Sequence, residues 1–192
     1  MVYLILGIGL IVIVPIAVLG YFVDHQFSSF EREYRYRAPE ASGTVAPPLA
    51  EATAGQTVYV PAYSHVYHQE GDPYLLTITL SVRNTDQESD IVVERVRYFD
   101  SAGSEIRSFL QQPLKLGPMA TSDFLVTRKD TSGGSGASFL VDWAADRAVS
   151  APVIEAVMID TTERQGISFV RSGVVVGSRE SSKSEPERAD GA

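Results

Sequence analysis

The sequence predicts an all-β protein: an antiparallel β-sandwich of immunoglobulin-like topology behind one N-terminal transmembrane helix. Three observations lead there. Residues 57–176 break into roughly eight or nine short apolar runs, with turn signals every eight to twelve residues or so. Several runs alternate apolar and polar side chains with the period of a strand, and no long amphipathic helix interrupts them. Ahead of them, residues 2–23 carry no charged side chain.

That first run reads "VYLILGIGLIVIVPIAVLGYFV". As a helix it is about 33 Å long at ~1.5 Å per residue, enough to cross a bilayer core of about 30 Å. Tyr3 at one end and Tyr21 with Phe22 at the other suit the membrane–water interfaces. Pro15 falls mid-span, where a membrane helix tolerates it with a kink. A buried core helix would keep a polar face, and this run has none. A cleaved signal peptide would be shorter, with a basic segment before it and small residues at its cleavage site. Here Gly20 is followed by Tyr21 and no basic segment precedes the run, so an uncleaved anchor is expected. The lipid bilayer, met through residues 2–23, is the first expected partner. Arg32, Arg35 and Arg37 follow the span and only the Met1 amine precedes it, so a literal arginine count points the C-terminal domain to the cytoplasm.

After the anchor, Phe27, Phe30 and Tyr34 repeat with helical spacing, and residues 24–37 are expected as a juxtamembrane helix. Residues 38–56, rich in Ala, Pro, Gly and Thr, read as a flexible linker reaching roughly 25 Å. Residues 177–192 are polar and read as a disordered tail. The β-sandwich domain is then 57–176, about 120 residues, enough to bury a core without staples.

Within it, "LLTITLSVRN" places Leu76, Ile78, Leu80 and Val82 on one face. "NTDQESD" is a turn. "IVVERVRYFD" alternates imperfectly, which suggests a bulge. "SAGSE" turns into "IRSFL", and "LGPMA" turns into "TSDFLVT", where Ser122, Phe124 and Val126 share a face. "SFLVDW" aligns Phe139, Val141 and Trp143, with the tryptophan expected in the core. "PVIEAVMI" is apolar on both faces, as a central strand would be. "GISFV" and "GVVV" complete the set.

The net charge of −8, with only three lysines, argues against nucleic acid as a partner. Without cysteine there is no disulfide, thiolate zinc site or lipidated cysteine. His65 and His68 in "PAYSHVYHQEGDPY" invite a metal reading, with Glu70 or Asp72 joining. Zinc needs three or four ligands on one side, and strand positions three apart face opposite ways. No metal and no cofactor is therefore expected. Tyr63, His65, Tyr67 and His68 read better as a recognition surface, because amphipathic rings bind at low entropic cost.

The segment "RKDTSGGSGASFLVDW" looks at first like a phosphate or nucleophile loop. A phosphate loop needs a lysine after its last glycine and a helix beyond; a nucleophile elbow needs G-x-S-x-G. Here Ala137 follows Gly136 and a strand follows both. A Ser135–His65–Asp130 triad has no support in spacing, and Asp130 alone cannot hold calcium. The glycines suit a tight connector that packs close to another backbone, with Asp130, Thr131 and Ser132 bonding back to nearby amides.

Five segments, "VYVPAYSHVYH", "LTITLSVRNTD", "DTSGGSGASFLVDW", "EAVMI" and "QGISF", occur in this order. Together the chain resembles the bacterial domain of unknown function 3124 family. The resemblance implies a small all-β extracytoplasmic domain on a membrane or lipoprotein anchor, and it brings no reaction or catalytic residue. Since this chain has no cysteine, the helix would be its anchor. The expected setting is thus the inner membrane, single-pass, with the domain in the periplasm. The expected role is a non-catalytic binding or envelope-interaction module for an envelope protein or a small ligand. Its candidate surface is Tyr63, His65, Tyr67, His68, Asp130, Ser132 and Ser135. The alternatives are a hydrolase or metal-dependent enzyme using His65, His68, Asp130 and Ser135, and a structural subunit that pairs through exposed strand edges.

Overall fold

The computed structural model describes residues 14–21, 43–49, 52–161 and 166–180. By its contacts the chain divides into residues 1–38 and residues 39–192. In the first unit, residues 14–21 form a helix whose Val14, Ile16, Val18 and Leu19 are exposed. Among the described residues no helix is long and apolar enough to cross a membrane. The rest of the expected span 2–23, the expected juxtamembrane helix 24–37 and residues 181–192 lie outside the described residues.

The second unit is antiparallel β structure. Its strands are β1 (Thr44–Val45), β2 (Ala54–Pro61), β3 (His65–His68), β4 (Asp72–Leu75), β5 (Thr77–Arg83), β6 (Ile91–Phe99) and β7 (Glu105–Ser108). They continue with β8 (Leu114–Leu116), β9 (Thr121–Val126), β10 (Ser138–Ala145), β11 (Val153–Asp160), β12 (Ile167–Ser172) and β13 (Val174–Glu180). A seven-stranded sheet runs β1-β8-β6-β10-β2-β13, with β7 also on β6. A four-stranded sheet runs β12-β11-β5-β9, and β3 and β4 form a separate hairpin.

Alternation explains how the two larger sheets fill one core. Ile78, Leu80 and Val82 of β5, Phe124 and Val126 of β9, and Ile154, Ala156 and Met158 of β11 come from the smaller sheet. Val58 and Val60 of β2, Val93, Val96 and Tyr98 of β6, and Phe139, Val141 and Trp143 of β10 come from the larger one. Each large apolar side chain so buried contributes about 1.5–3 kcal/mol. Trp143 belongs to this core, as its alternation with Phe139 and Val141 predicts.

The suspected bulge is present. Asp142 pairs with Arg95 and its neighbour Trp143 with Val93, so Glu94 is the extra residue of β6. Val93 and Val96 can then both face the core, while Arg95 and Arg97 face outward onto Asp142.

Two sequence expectations are corrected. Part of the expected linker 38–56 is strand: β1 pairs with β8, and β2 begins at Ala54. The expected tail starts inside β13, which pairs with β2 as far as Glu180. Composition cannot reveal such pairing, because main-chain groups of a neighbouring strand make it. β11 is central, between β12 and β5, yet only one of its faces is buried; Val153 is 45% and Ile159 38% exposed on the other. Antiparallel sheets leave one face to solvent, and apolar side chains there are common.

Gly173 carries the chain from β12 in the smaller sheet to β13 in the larger. Its amide donates to the Ile154 carbonyl at 2.8 Å. A Cβ there would lie 2.4 Å from Val58 Cγ1 and 3.1 Å from that carbonyl oxygen. Gly173→Ala should therefore destabilise the domain by about 1–3 kcal/mol through overpacking. Urea unfolding should show a lower midpoint at an unchanged slope.

Candidate functional site

At one end of the seven-stranded sheet, Ser138 at the start of β10 pairs with Pro61 at the end of β2 and Phe99 at the end of β6. The chain leaving β2 here forms the β3–β4 hairpin. The chain entering β10 here is the glycine-rich loop. Both segments singled out in the sequence therefore meet at the same end of the domain.

The hairpin pairs His65 with Leu75, Val66 with Tyr74, Tyr67 with Pro73 and His68 with Asp72. Its turn closes through the Gly71 amide to the His68 carbonyl at 3.0 Å, with Gln69 and Gly71 both at positive φ. Gln69 at φ 48 occupies the left-handed region that a side chain rarely adopts. The rings pair edge to face: His65 with Tyr67 at 5.1 Å and His68 with Tyr74 at 5.5 Å. Tyr63 instead packs on Phe169 of β12 at 5.8 Å. Tyr67 is 63% exposed and His68 is exposed, whereas His65 is half-buried with its Nδ1 lacking a hydrogen-bond partner.

The loop is held from three directions. Asp130 accepts from the Ser132 amide and hydroxyl and from Arg107 of β7. Ser101 donates its amide to the Gly133 carbonyl at 3.1 Å, and its hydroxyl accepts the Gly136 amide at 2.9 Å. Ser64, fully buried just before the hairpin, donates both its amide and its hydroxyl to the Gly134 carbonyl, at 3.0 and 2.9 Å. The Ser64 carbonyl in turn accepts the Leu76 amide. Ser64 thus rivets the hairpin to the loop, and Ser135 rides on the short 3-10 turn Gly134–Gly136 between them.

The glycines serve different needs. Gly133 has an ordinary helical φ of −72°, so backbone freedom does not require glycine there. Space does: a Cβ would stand 1.9 Å from the Tyr98 hydroxyl oxygen. Gly134 has φ +73°, and a Cβ would also meet the Ser101 hydroxyl at 2.6 Å. Tyr98 rises from β6 with its ring against Phe139 at 4.8 Å and its hydroxyl buried without a hydrogen bond of normal geometry. Burial, with the nearby Asp130 charge, pushes the phenol up to about 12.

Asp130, by contrast, is held below the ordinary carboxylate range, first by the Ser132 hydroxyl and in smaller part by Arg107. Its described partners are Ser132 and Arg107, and no described hydrogen bond links Ser135, His65 and Asp130. Among the described residues no three His, Asp or Glu side chains converge to hold a metal ion. Sequence reasoning passed over Ser64, Tyr98, Ser101 and Arg107, because each acts through a partner distant in the chain.

The family described as Protein of unknown function (DUF3124) matches residues 55–176. The chain belongs to this family. The DUF3124 match opens in β2 and closes in β13, so it holds the hairpin and the loop together and leaves β1 outside. A search of curated proteins finds no match. Among solved structures, the crystal structure of Thermotoga maritima 1070 is similar at 11% identity and a TM-score of 0.39, over 62% of this chain and 92% of that one.

Two outcomes follow from the loop. Gly133→Ala should cost about 1–3 kcal/mol by overpacking, while Tyr98→Phe, which removes a buried hydroxyl without a hydrogen bond of normal geometry, should change stability by less than about 1 kcal/mol. The double variant should recover part of the Gly133→Ala loss, with a coupling of at least about 0.5 kcal/mol in a denaturation cycle. The second concerns acid. Because Asp130 titrates lower in the folded chain, its contribution is complete above the unfolded value of about 3.9 and is lost as pH falls through the folded one. Below about pH 4, the stability of Asp130→Asn should therefore fall less steeply with pH than that of the parent, as read by urea midpoints across that range.

Proposed function

We propose that the chain is a membrane-tethered β-sandwich, immunoglobulin-like in arrangement, that works as a non-catalytic binding module on the periplasmic side of the inner membrane. The observation that carries this reading is the rigid coupling of an exposed aromatic hairpin to a braced loop at one end of the domain. Ser64 ties the two together, and Tyr67 and His68 remain open to solvent. Aromatic and histidine rings held by edge-to-face pairing lose little freedom on binding, which suits recognition. An envelope protein or a small ligand is the partner such a surface fits. Asp130 is engaged in bracing the loop, which favours binding over the hydrolase alternative.

The tether is supported by the uncharged run 2–23 and by the apolar helical turns at residues 14–21. The shared core of two antiparallel sheets, with β12 passing into β13 across Gly173, supports the sandwich. The resemblance to the DUF3124 family, which implies an extracytoplasmic domain, supports the periplasmic placement, against the literal arginine count.

One experiment on the full chain in membranes tests the reading. A photo-crosslinking residue replaces Tyr67, or Val153 at the opposite end as a control, in a chain fused at Ala192 to alkaline phosphatase. The expected result is an active phosphatase and a discrete adduct from position 67 alone, weakened at least about fivefold by His68→Ala. An inactive fusion rejects the periplasmic placement. Equal adducts from both positions reject the binding surface.

A further inference from the structure

At the far end of the seven-stranded sheet, where Ala145 of β10 pairs with Ala54 of β2, lies a cavity of ≈ 300 Å³. The eight residues of β10 separate it from the hairpin and loop by roughly 23 Å, at about 3.3 Å per residue. Its volume is at the lower end of the range of about 300–1,000 Å³ typical of small-molecule sites. Part of its lining is apolar. Pro47 and Leu49 come from the segment that follows β1, Val92 from β6 and Ala145 from the end of β10. Val92 is 6% and Ala145 1% exposed.

The charged part of the lining carries both signs. Lys115 pairs with Asp90 at 2.5 Å, and Arg147 pairs with Asp146 at 2.9 Å. The two pairs are close enough to feel each other. Asp146 is held below the ordinary carboxylate range chiefly by Arg147, with a smaller pull from Lys115, and Asp90 adds to the stabilisation of the Arg147 cation. Five charged side chains, Glu88, Asp90, Lys115, Asp146 and Arg147, thus line one partly apolar space.

That arrangement selects among ligands. A ligand of one sign would displace one member of an ion pair and leave the displaced charge unpaired. A zwitterion replaces both partners at once, its carboxylate going to Lys115 and Arg147 and its ammonium to Asp90 and Asp146. A phosphate-rich ligand would meet three carboxylates, since Glu88 also lines the space. Among the described residues no three His, Asp or Glu side chains are grouped so that they could hold a metal ion. The apolar walls supply contact for a hydrocarbon side chain. We propose that this cavity binds a single free α-amino acid with an apolar side chain. The site is separate from the hairpin surface and depends on residues 46–49, which precede the DUF3124 match.

The test uses the full chain in detergent, titrated in turn with leucine, isoamylamine and isocaproate. The amine and the acid each carry one of leucine's two charges on a similar hydrocarbon. Amide chemical shifts of Glu88, Ser89, Ala145 and Asp146 report binding. Leucine should shift them saturably and bind at least tenfold tighter than either one-charge probe. Lys115→Gln combined with Arg147→Gln should weaken leucine at least tenfold. Both side chains are largely exposed, so the thermal midpoint without ligand should stay unchanged. Leu49→Ser should weaken it about fivefold, through a wall residue that lies outside the strands. Leucine binding no tighter than the one-charge probes overturns the proposal, as does undiminished binding by the charge variant. Neither result bears on crosslinking at Tyr67, so the two readings fail separately.

Discussion

One extra residue in β6 decides how both faces of the larger sheet are filled. With Glu94 inserted, Val93 and Val96 both turn inward although they are three apart, and Arg95 and Arg97 both turn outward. The outward pair closes over Asp142 of β10, whose side chain is only 3% exposed. Thr57 of β2 donates to the same carboxylate at 2.6 Å. A carboxylate this far from water is tolerable only when its oxygens are fully engaged. The bulge supplies two guanidinium groups where an unbroken strand with Val93 inward would have turned both of them into the core. Glu94 itself reaches Arg179 of β13. Gly55 and Ala144, which are register neighbours of Arg179, keep the sheet surface low between the two.

The same sheet sets the two ends of the domain apart. Tyr98, three residues after Arg95 and on the inward face, carries its ring to the end of the core and presses its hydroxyl against Gly133. Around that contact, Ser64 and Ser101 draw the hairpin and the turn after β6 onto the glycine-rich loop through main-chain bonds. What results is a braced surface whose exposed rings do not contribute to the core. At the other end the strands finish in small and charged residues, and the segment after β1 walls a concavity where none of the large aromatics reaches.

Much of this was legible in the chain. The alternation of Leu76, Ile78, Leu80 and Val82 reports a strand with one buried face, because the pleat has period two and water penalises the wrong register. The disturbed alternation of "IVVERVRYFD" reports the bulge for the same reason. The double apolarity of "PVIEAVMI" reports a central strand, although composition cannot distinguish a covered outer face from an open one. The linker and tail boundaries misled. β1 and the end of β13 are strands only because β8 and β2 offer them free main-chain groups. β1 is only two residues long, and residues 177–180 of β13 carry little strand signal.

By itself, then, the sequence determined the class of the domain, its core-facing residues and the two segments that crowd one end, since local periodicity and turn chemistry encode each of these, and its quoted segments carried the resemblance to the family. Only the tertiary structure decided what those segments do to each other. The glycine-rich loop looks in sequence like a site for phosphate. In space its first glycine is the room that Tyr98 needs, and its second offers the carbonyl that Ser64 holds. Both partners lie more than thirty residues away along the chain, and contacts over such distances leave no mark on local pattern.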